Sequence, residues 1–319
     1  MPSSLRALLR DVVDYAGFFP PAGLPLREAF RNYAAYRRSD DAWMLGRFVC
    51  TASHLAPLDE AASALFEENT PPFRFSVLAG RGDDPAAFLR ELEHDLHRIR
   101  QFHRRHGEAV RVEAVEMHLP ADLLTGDTAT LNEFLRDMLA GAEDARRATP
   151  AFFLEIPLNE QAARHATFVT GALAGRDEAA FGLKLRCGGP VPADHPAPDR
   201  LSDAVLACLR QDVPFKATAG LHHPFRRYDD DAETMMHGFV NLFGGAALAA
   251  EHDLSAGELR RILSDDEPDR FAFDDDTLHW QDLSVSSEAL RRVRRSVALS
   301  FGSCSFDEPR ADLRALGLL

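Results

Sequence analysis

The chain alternates between two kinds of segment, and this alternation limits the folds that it can adopt. Each unit begins with a short, nearly continuous apolar run and continues into a longer segment whose apolar residues recur at helical spacing. Runs that are apolar on both faces are typical of parallel strands buried within a sheet. The eight apolar runs are residues 14–23, 43–50, 73–80, 110–120, 151–158, 180–189, 214–224 and 297–306.

Eight strand–helix units without a strong internal linker predict an α/β fold of the (β/α)8 TIM-barrel type, with residues 1–319 as a single domain. A doubly wound open sheet is the alternative, because closure is not visible in a sequence. No GxGxxG or P-loop pattern follows any of the runs, which disfavours a nucleotide-binding fold.

The eighth strand has two candidates, residues 297–306 and residues 237–243. Apolar residues recur at helical spacing around the second candidate, so we predict a helix over about residues 230–251. Residues 297–306 then form the eighth strand. Residues 252–285 become an insertion between the seventh helix and the eighth strand, with one helix and a hairpin over residues 270–280.

Composition excludes several classes of partner. The net charge of −14 opposes non-specific binding to nucleic acid or to an anionic membrane surface. The chain has neither the apolar core of a signal peptide at its start nor an apolar run long enough to span a bilayer. Its four cysteines are scattered, which fits reduced thiols. We therefore expect a cytoplasmic protein that takes a small-molecule substrate, and a homo-oligomer stays open.

Two lysines stand out. Lys184 and Lys216 are the only lysines among 36 basic Lys and Arg residues, and each lies on an apolar run that closes in glycine. Arginine stays charged at any working pH, whereas a buried lysine can lose its proton and act as a nucleophile or base.

Alternation along a strand predicts which side chains enter the barrel, since residues two apart share a face. The two lysines lie on adjacent strands, so they should be neighbours near the C-terminal mouth, where barrel active sites lie. Asp14 could also face a substrate there, although the prolines after it equally suit a rigid loop. The other candidates expected to face inward or to lie at this mouth are Glu116, His118, Glu155, Arg186, Thr218, His222, Arg47 and Ser303.

Two neighbouring ammonium groups repel each other, and a water-poor cavity disfavours both charges, so we expect each lysine pKa to be lowered. A neutral amine can then attack a carbonyl group and form a Schiff base. Glu155 or Glu116 could move protons, and Arg186 or Arg47 could hold a carboxylate or phosphate. These roles describe a lyase or aldolase that acts on a small anionic carbonyl compound. We predict no cofactor for it, although a divalent metal stays open.

The segments Lys184-Leu-Arg-Cys-Gly188 and Lys216-Ala-Thr-Ala-Gly220 resemble the paired lysine motifs of class I aldolases of the deoxyribose-phosphate aldolase type. The resemblance implies that Lys184 forms the imine and that Lys216 modulates its pKa. Glu116 would replace an aspartate of that family. The resemblance covers about 45 residues, and Arg186 departs from it, since the family has a small hydroxylated residue there.

Three alternatives stay open. His222 and His223, with Glu155, Glu116 or His118, could hold a divalent metal in a barrel lyase, isomerase or hydrolase. The barrel could instead bind a sugar or an acid without turning it over. Cys304 could be a nucleophile, but no partner histidine is fixed by spacing, so a packed thiol is the simpler interpretation. Glu308 is most simply an acid at a helix start.

Overall fold

The computed structural model describes residues 1–67, 71–82, 84–142, 150–176 and 181–319. Eight parallel strands close into a barrel, in which the first strand pairs with both the second and the last. The predicted (β/α)8 architecture is therefore confirmed. The strands are β1 (Val13–Tyr15), β2 (Leu45–Thr51), β3 (Phe73–Leu78), β4 (Val110–His118), β5 (Ala151–Ile156), β6 (Phe181–Arg186), β7 (Phe215–Thr218) and β8 (Ala298–Ser303).

Helices surround the barrel and bury its outward apolar side chains. Phe215 of β7 stacks on Phe243, and Phe301 of β8 stacks on Phe239, so these two strands share one covering helix. The helices that follow the eight strands in turn are Leu26–Tyr36, Leu55–Glu67, Pro85–His106, Ala121–Thr125 with Thr128–Ala142, Ala162–Leu173, Pro198–Arg210, Phe239–His252 and Asp307–Ala315. Helices Ser3–Leu9, Ala256–Leu263 and Ser287–Ser296 are additional.

The choice of residues 297–306 for the eighth strand is confirmed, but the predicted helix over 230–251 begins too early. The helix in the structure begins at Phe239. Strands Arg227–Asp229 and Thr234–Met236 form an antiparallel hairpin before it. The turn is stabilised by the Asp229 carboxylate, which accepts a hydrogen bond from the Ala232 N–H at 2.8 Å. Acidic side chains bond to nearby backbone in turns as well as at helix starts, so the acidic run at 229–233 does not by itself mark the start of a helix.

The segment between helix Phe239–His252 and β8 contains more sheet than expected. Its predicted helix is Ala256–Leu263, which begins with a capping box between Ser255 and Glu258. Its predicted hairpin gains a third strand. The three antiparallel strands are Phe271–Phe273, Thr277–Trp280 and Leu283–Ser286.

From the sequence we also predict helices over residues 58–68 and 130–147. Position 68, positions 143–147 and position 180 of the sixth predicted strand lie outside the described residues. Among the described residues, no helix is long and apolar enough to cross a lipid bilayer.

The glycines that close the two lysine motifs have a common structural cause. Lys184 and Lys216 are register partners, and Gly188 and Gly220 then meet where β6 and β7 end. A Cβ on Gly188 would lie 2.6 Å from Gly220 Cα, and a Cβ on Gly220 would lie 2.6 Å from the Cys187 carbonyl oxygen. The shared lysine-to-glycine spacing thus places both amines at one height and lets the two strand ends approach closely.

Replacing Gly220 by alanine should lower the free energy of unfolding by about 2–4 kcal/mol, because the new methyl group meets backbone and the residue has a φ of +63°. Gly175→Ala is the matched control, since Gly175 has a φ of +69° but open space around its Cβ position. It should cost only about 1 kcal/mol. Urea unfolding measures both variants, and equal losses would contradict the close approach.

Candidate active site at the centre of the barrel

Five ionisable side chains alternate in charge across the barrel interior. Lys216 Nζ lies 2.7 Å from Asp14 Oδ2 and also contacts Glu116 Oε1. Lys184 Nζ lies 3.1 Å from Glu116 Oε2 and 3.0 Å from Glu155 Oε2. We call Asp14, Lys216, Glu116, Lys184 and Glu155 the ion-pair network. All five residues are buried, so these charges are paired away from water.

Neighbouring strands hold the network in place. Ser76 of β3 donates a hydrogen bond to Glu116 Oε1 and accepts one from Lys216 Nζ at 2.9 Å. Ser300 of β8 donates to Asp14 Oδ2 at 2.8 Å. Gly46 leaves room for the Asp14 carboxylate, because a Cβ there would lie 2.3 Å from Asp14 Oδ1. These contacts satisfy oxygens that would be costly to bury without partners.

The expected lowering of the lysine pKa is wrong for Lys184. Burial on its own would lower the pKa of Lys184, but the adjacent carboxylates of Glu116 and Glu155 outweigh it, so that this pKa is raised. The prediction considered repulsion between two amines, whereas the structure places Glu116 between them. The resting state of Lys184 is therefore an ammonium ion held by two carboxylates.

The pKa values of the three carboxylates are lowered, because the neighbouring ammonium groups outweigh the effect of burial. Burial would raise the pKa of Glu116, yet the ammonium groups of Lys216 and Lys184 bring it well below its ordinary value. The pKa values of Asp14 and Glu155 are also lowered against burial, that of Asp14 chiefly by Lys216 and that of Glu155 chiefly by Lys184. The carboxylates of the network are thus ionised at neutral pH.

The network reaches solvent through Glu155. Its Oε1 lies 3.1 Å from Arg186 Nε and 3.4 Å from His118 Nδ1, at the C-terminal ends of β6 and β4. The side chains of Arg186 and His118 are 44% and 72% exposed, whereas that of Lys184 is 6% exposed. Burial lowers the pKa of His118 despite the neighbouring Glu155, so its imidazole is largely neutral at neutral pH. An exposed cation and a neutral base therefore stand next to the network on its solvent side.

Arg47 does not lie at this mouth, and its predicted position there is wrong. Its NH1 lies 3.5 Å from Asp14 Oδ2 and its Nε lies 3.0 Å from Glu113 Oε2, near the start of β2. Arg47 and Arg74 line a cavity at the N-terminal end of the barrel. Alternation did not settle the face of Arg47, and it does not give the height of a side chain along the barrel.

A second cluster lies after the ends of β7 and β8. His222 Nδ1 lies 2.9 Å from Glu308 Oε2, and the ring also contacts the Cys304 thiol. Burial would lower the pKa of His222, but Cys304 and Glu308 raise it to about 10. The histidine partner of Cys304 that spacing could not identify is therefore His222, and Glu308 orients that histidine in addition to starting a helix.

The remaining predicted residues have structural contacts. His223 Nδ1 lies 2.5 Å from Asp312 Oδ2, and its Nε2 lies 3.6 Å from Asp229 Oδ2. Thr218 is the register partner of Gly302 at the end of β7. Ser303 is buried at the end of β8, where its hydroxyl accepts a hydrogen bond from the Ser305 N–H at 3.3 Å.

The metal candidates are divided between two places. His118 and Glu155 lie at the network, while His222 and His223 each pair with a carboxylate of the last helix or of the hairpin. In the part of the chain that the structure describes, no group of three or more His, Cys, Asp or Glu side chains is arranged to hold a metal ion.

Sequence reasoning missed Ser300 and gave Asp14 no specific role. The available signal was a polar residue inside a buried apolar run, which in a barrel marks a side chain that needs an interior partner. Both residues meet at the deep end of the network, where Asp14 holds Lys216.

The closed barrel and its interior ion pairs define the class of this protein as a (β/α)8 barrel with a charged interior. Comparison with protein-family models and with curated proteins finds no match for the chain.

Replacing Glu116 by glutamine should lower the free energy of unfolding by about 3–5 kcal/mol, because both buried ammonium groups lose a charged partner. Glu93→Gln is a suitable control, since Glu93 is exposed on helix Pro85–His106, and it should stay within about 0.5 kcal/mol of the wild type. Calorimetry can compare the two variants. Similar stabilities would show that Glu116 does not hold the network together.

Cys304 should be the first of the four cysteines to react with iodoacetamide at pH 7. Burial raises the pKa of Cys50 and of Cys187 to about 12 and raises that of Cys208 as well, whereas Cys304 is partly exposed and contacts the His222 ring. His222→Gln should slow the labelling roughly tenfold by removing the neighbouring imidazolium.

His223→Gln is the matched control for this labelling, since His223 pairs with Asp312 and Asp229 instead. Peptide mass spectrometry measures the rate at each cysteine. Equal rates in the two histidine variants would show that His222 does not activate the thiol.

Proposed function

We propose that this protein is an enzyme that acts on a small carbonyl compound bearing an anionic group, and that it forms a Schiff base with Lys184. The observation that carries the proposal is the contact of the Lys184 ammonium with two buried carboxylates, one of which reaches solvent-exposed groups. A buried amine with adjacent proton acceptors is what imine formation requires.

The contacts favour Lys184 over Lys216 as the nucleophile. Lys216 is 1% exposed and is held by Asp14, Glu116 and Ser76, so that a substrate would have to displace three partners to reach it. Lys184 has two carboxylate partners, and its partner Glu155 borders the mouth. Lys216 is then a positioning residue that keeps Glu116 ionised and fixed.

Glu155 is the best-placed proton acceptor for the first step. The amine must lose a proton before it can attack, and Glu155 Oε2 lies 3.0 Å from its nitrogen. Arg186 pairs with Glu155 in the free protein, and its exposed guanidinium can instead hold the anionic group of a substrate. Moving Arg186 to the substrate would raise the proton affinity of Glu155 as the reaction begins.

The chemistry balances within these groups. The neutral Lys184 amine adds to the carbonyl carbon, and the proton taken by Glu155 goes to the resulting carbinolamine oxygen. The adduct nitrogen then releases a proton to Glu155, which passes it to the same oxygen. That oxygen leaves as water, and a protonated imine remains. An imine at this position can accept the electron pair of a breaking carbon–carbon bond, which makes an aldolase-like lyase the reaction class that we propose. The resemblance to class I aldolases points to the same lysine.

Sodium borohydride with pyruvate, glyoxylate or dihydroxyacetone phosphate should leave a stable mass increase on Lys184 in the wild-type protein. The experiment is unusually clean, because the chain has only Lys184, Lys216 and an α-amino group as primary amines. Intact-mass measurement and peptide mapping therefore assign the adduct among three positions.

Lys184→Arg keeps the positive charge between Glu116 and Glu155 but cannot form the imine, so it should lose the adduct while keeping the fold by circular dichroism. Glu155→Gln should slow trapping about a hundredfold by removing the proton acceptor. An adduct that persists in Lys184→Arg, or no adduct with any of the three compounds, would refute the proposal.

A further inference from the structure

An arginine-lined cavity opens at the N-terminal end of the barrel, away from the mouth at which Arg186 and His118 lie. Its volume is about 400 Å³. The lining arginines come from four separate parts of the chain. One part is the segment that precedes β1, two are the strands β2 and β3 themselves, and the fourth is the last two turns of helix Ser287–Ser296. They are Arg10, Arg47, Arg74, Arg291, Arg294 and Arg295. This convergence is notable in a chain whose net charge is −14.

The carboxylates nearby do not neutralise this group. Asp11 pairs with Arg74 at 2.7 Å, and Glu113 is shared between Arg47 and Arg74. Asp14 Oδ2 lies 3.5 Å from the Arg47 guanidinium and closer to Lys216 Nζ, at 2.7 Å. In the described part of the chain, Arg10, Arg291 and Arg295 form no ion pair, and all three are exposed. Positive charge therefore exceeds negative charge around the cavity.

Arg294 gives the clearest sign that the cavity suits an anion. It is 7% exposed, and its guanidinium donates to the backbone carbonyls of Leu8, Arg10 and Ala298 rather than to a carboxylate. Burial lowers the pKa of Arg294 to about 9, against the weaker opposing effects of Asp11 and Asp14. A buried cation without a contacting anion is costly, and an anion in the adjoining cavity would offset that cost.

The dipole of helix Ser287–Ser296 explains the position of only some of the arginines that line the cavity. Arg294 and Arg295 lie in the last turn of helix Ser287–Ser296, where cations interact favourably with the helix dipole. That effect does not account for Arg10, Arg47 and Arg74, which belong to other elements and face the same cavity.

We propose that this cavity is a binding site for a phosphate-class oxyanion, either free or as the phosphate group of a small organic ester. Guanidinium groups present pairs of N–H donors that match the oxygens of phosphate. The volume admits a phosphate, a diphosphate or a small phosphate ester, which distinguishes the site from a surface patch that attracts a polymer. The site is separate from the mouth at which we propose the lysine chemistry, because it lies at the other end of the barrel.

The site also adjoins the ion-pair network. The Arg47 backbone N–H donates to Asp14 Oδ1 at 2.7 Å, and Asp14 Oδ2 is the partner of Lys216. An anion that binds the Arg47 guanidinium in the cavity would weaken its contact with Asp14 Oδ2 and leave that carboxylate more fully to Lys216. Anion binding in the cavity would thus affect the ion pair between Asp14 and Lys216 at the centre of the barrel.

Isothermal titration with inorganic phosphate, pyrophosphate and glycerol 3-phosphate at low ionic strength tests the proposal. At least one of these probes should bind the wild-type protein saturably at a single site, and added salt should weaken the binding by screening. Tighter binding of glycerol 3-phosphate than of phosphate would identify an organic ester as the ligand, and the reverse order would identify the free anion.

Arg291→Gln and Arg10→Gln should each weaken this binding about tenfold by removing one charged donor. Arg292→Gln is the matched control, because Arg292 is the exposed neighbour of Arg291 on the same helix and pairs with Glu251 instead of lining the cavity. It should stay within about twofold of the wild type. Equal weakening by Arg291→Gln and Arg292→Gln, or no saturable binding of any probe at millimolar concentration, would overturn the proposal.

Discussion

The contact of Glu116 with both lysines is the interaction on which the barrel interior depends. Without that carboxylate, Lys184 and Lys216 would be two ammonium groups on adjacent strands in a water-poor space. With it, positive and negative groups alternate from Asp14 at one side to Glu155 at the other. Such an arrangement tolerates burial because each charge has partners, but it makes the members interdependent. The hydroxyls of Ser76 and Ser300 and the absence of a side chain at Gly46 serve the same network.

This interdependence bears directly on the proposed chemistry. A lysine that is a stable ammonium in the free protein is a poor nucleophile, so the network needs a way to release a proton only when a substrate is present. Glu155 provides that route, because its other oxygen contacts the exposed Arg186 and His118. A substrate that changes the surroundings of Arg186 changes the proton balance at Lys184 through one carboxylate. In the chemistry that we propose, the site would therefore respond to an anionic group at the mouth.

The sequence predicted the eight strands, the eighth-strand choice and the inward direction of both lysines because all of these depend on local periodicity. It did not predict the sign of the Lys184 pKa shift, since that depends on Glu116 and Glu155, which come from strands far away in the sequence. It misplaced Arg47 for a related reason. Alternation gives the face of a strand, whereas height in a barrel also depends on the stagger between strands. The contact between His222 and Cys304 was invisible because two loops, not a spacing, bring these residues together.

The burial of both lysines has a consequence for the outer surface of the protein. Every cation that the side chains present to solvent is a guanidinium or an imidazole, because the only two lysine amines lie inside the barrel. Bulky amine-directed cross-linkers and activated esters that cannot enter the barrel would react with the α-amino group and with neither lysine. The folded chain can therefore be attached or labelled at one end in a defined orientation, and unfolding would be signalled by the appearance of two further reactive amines.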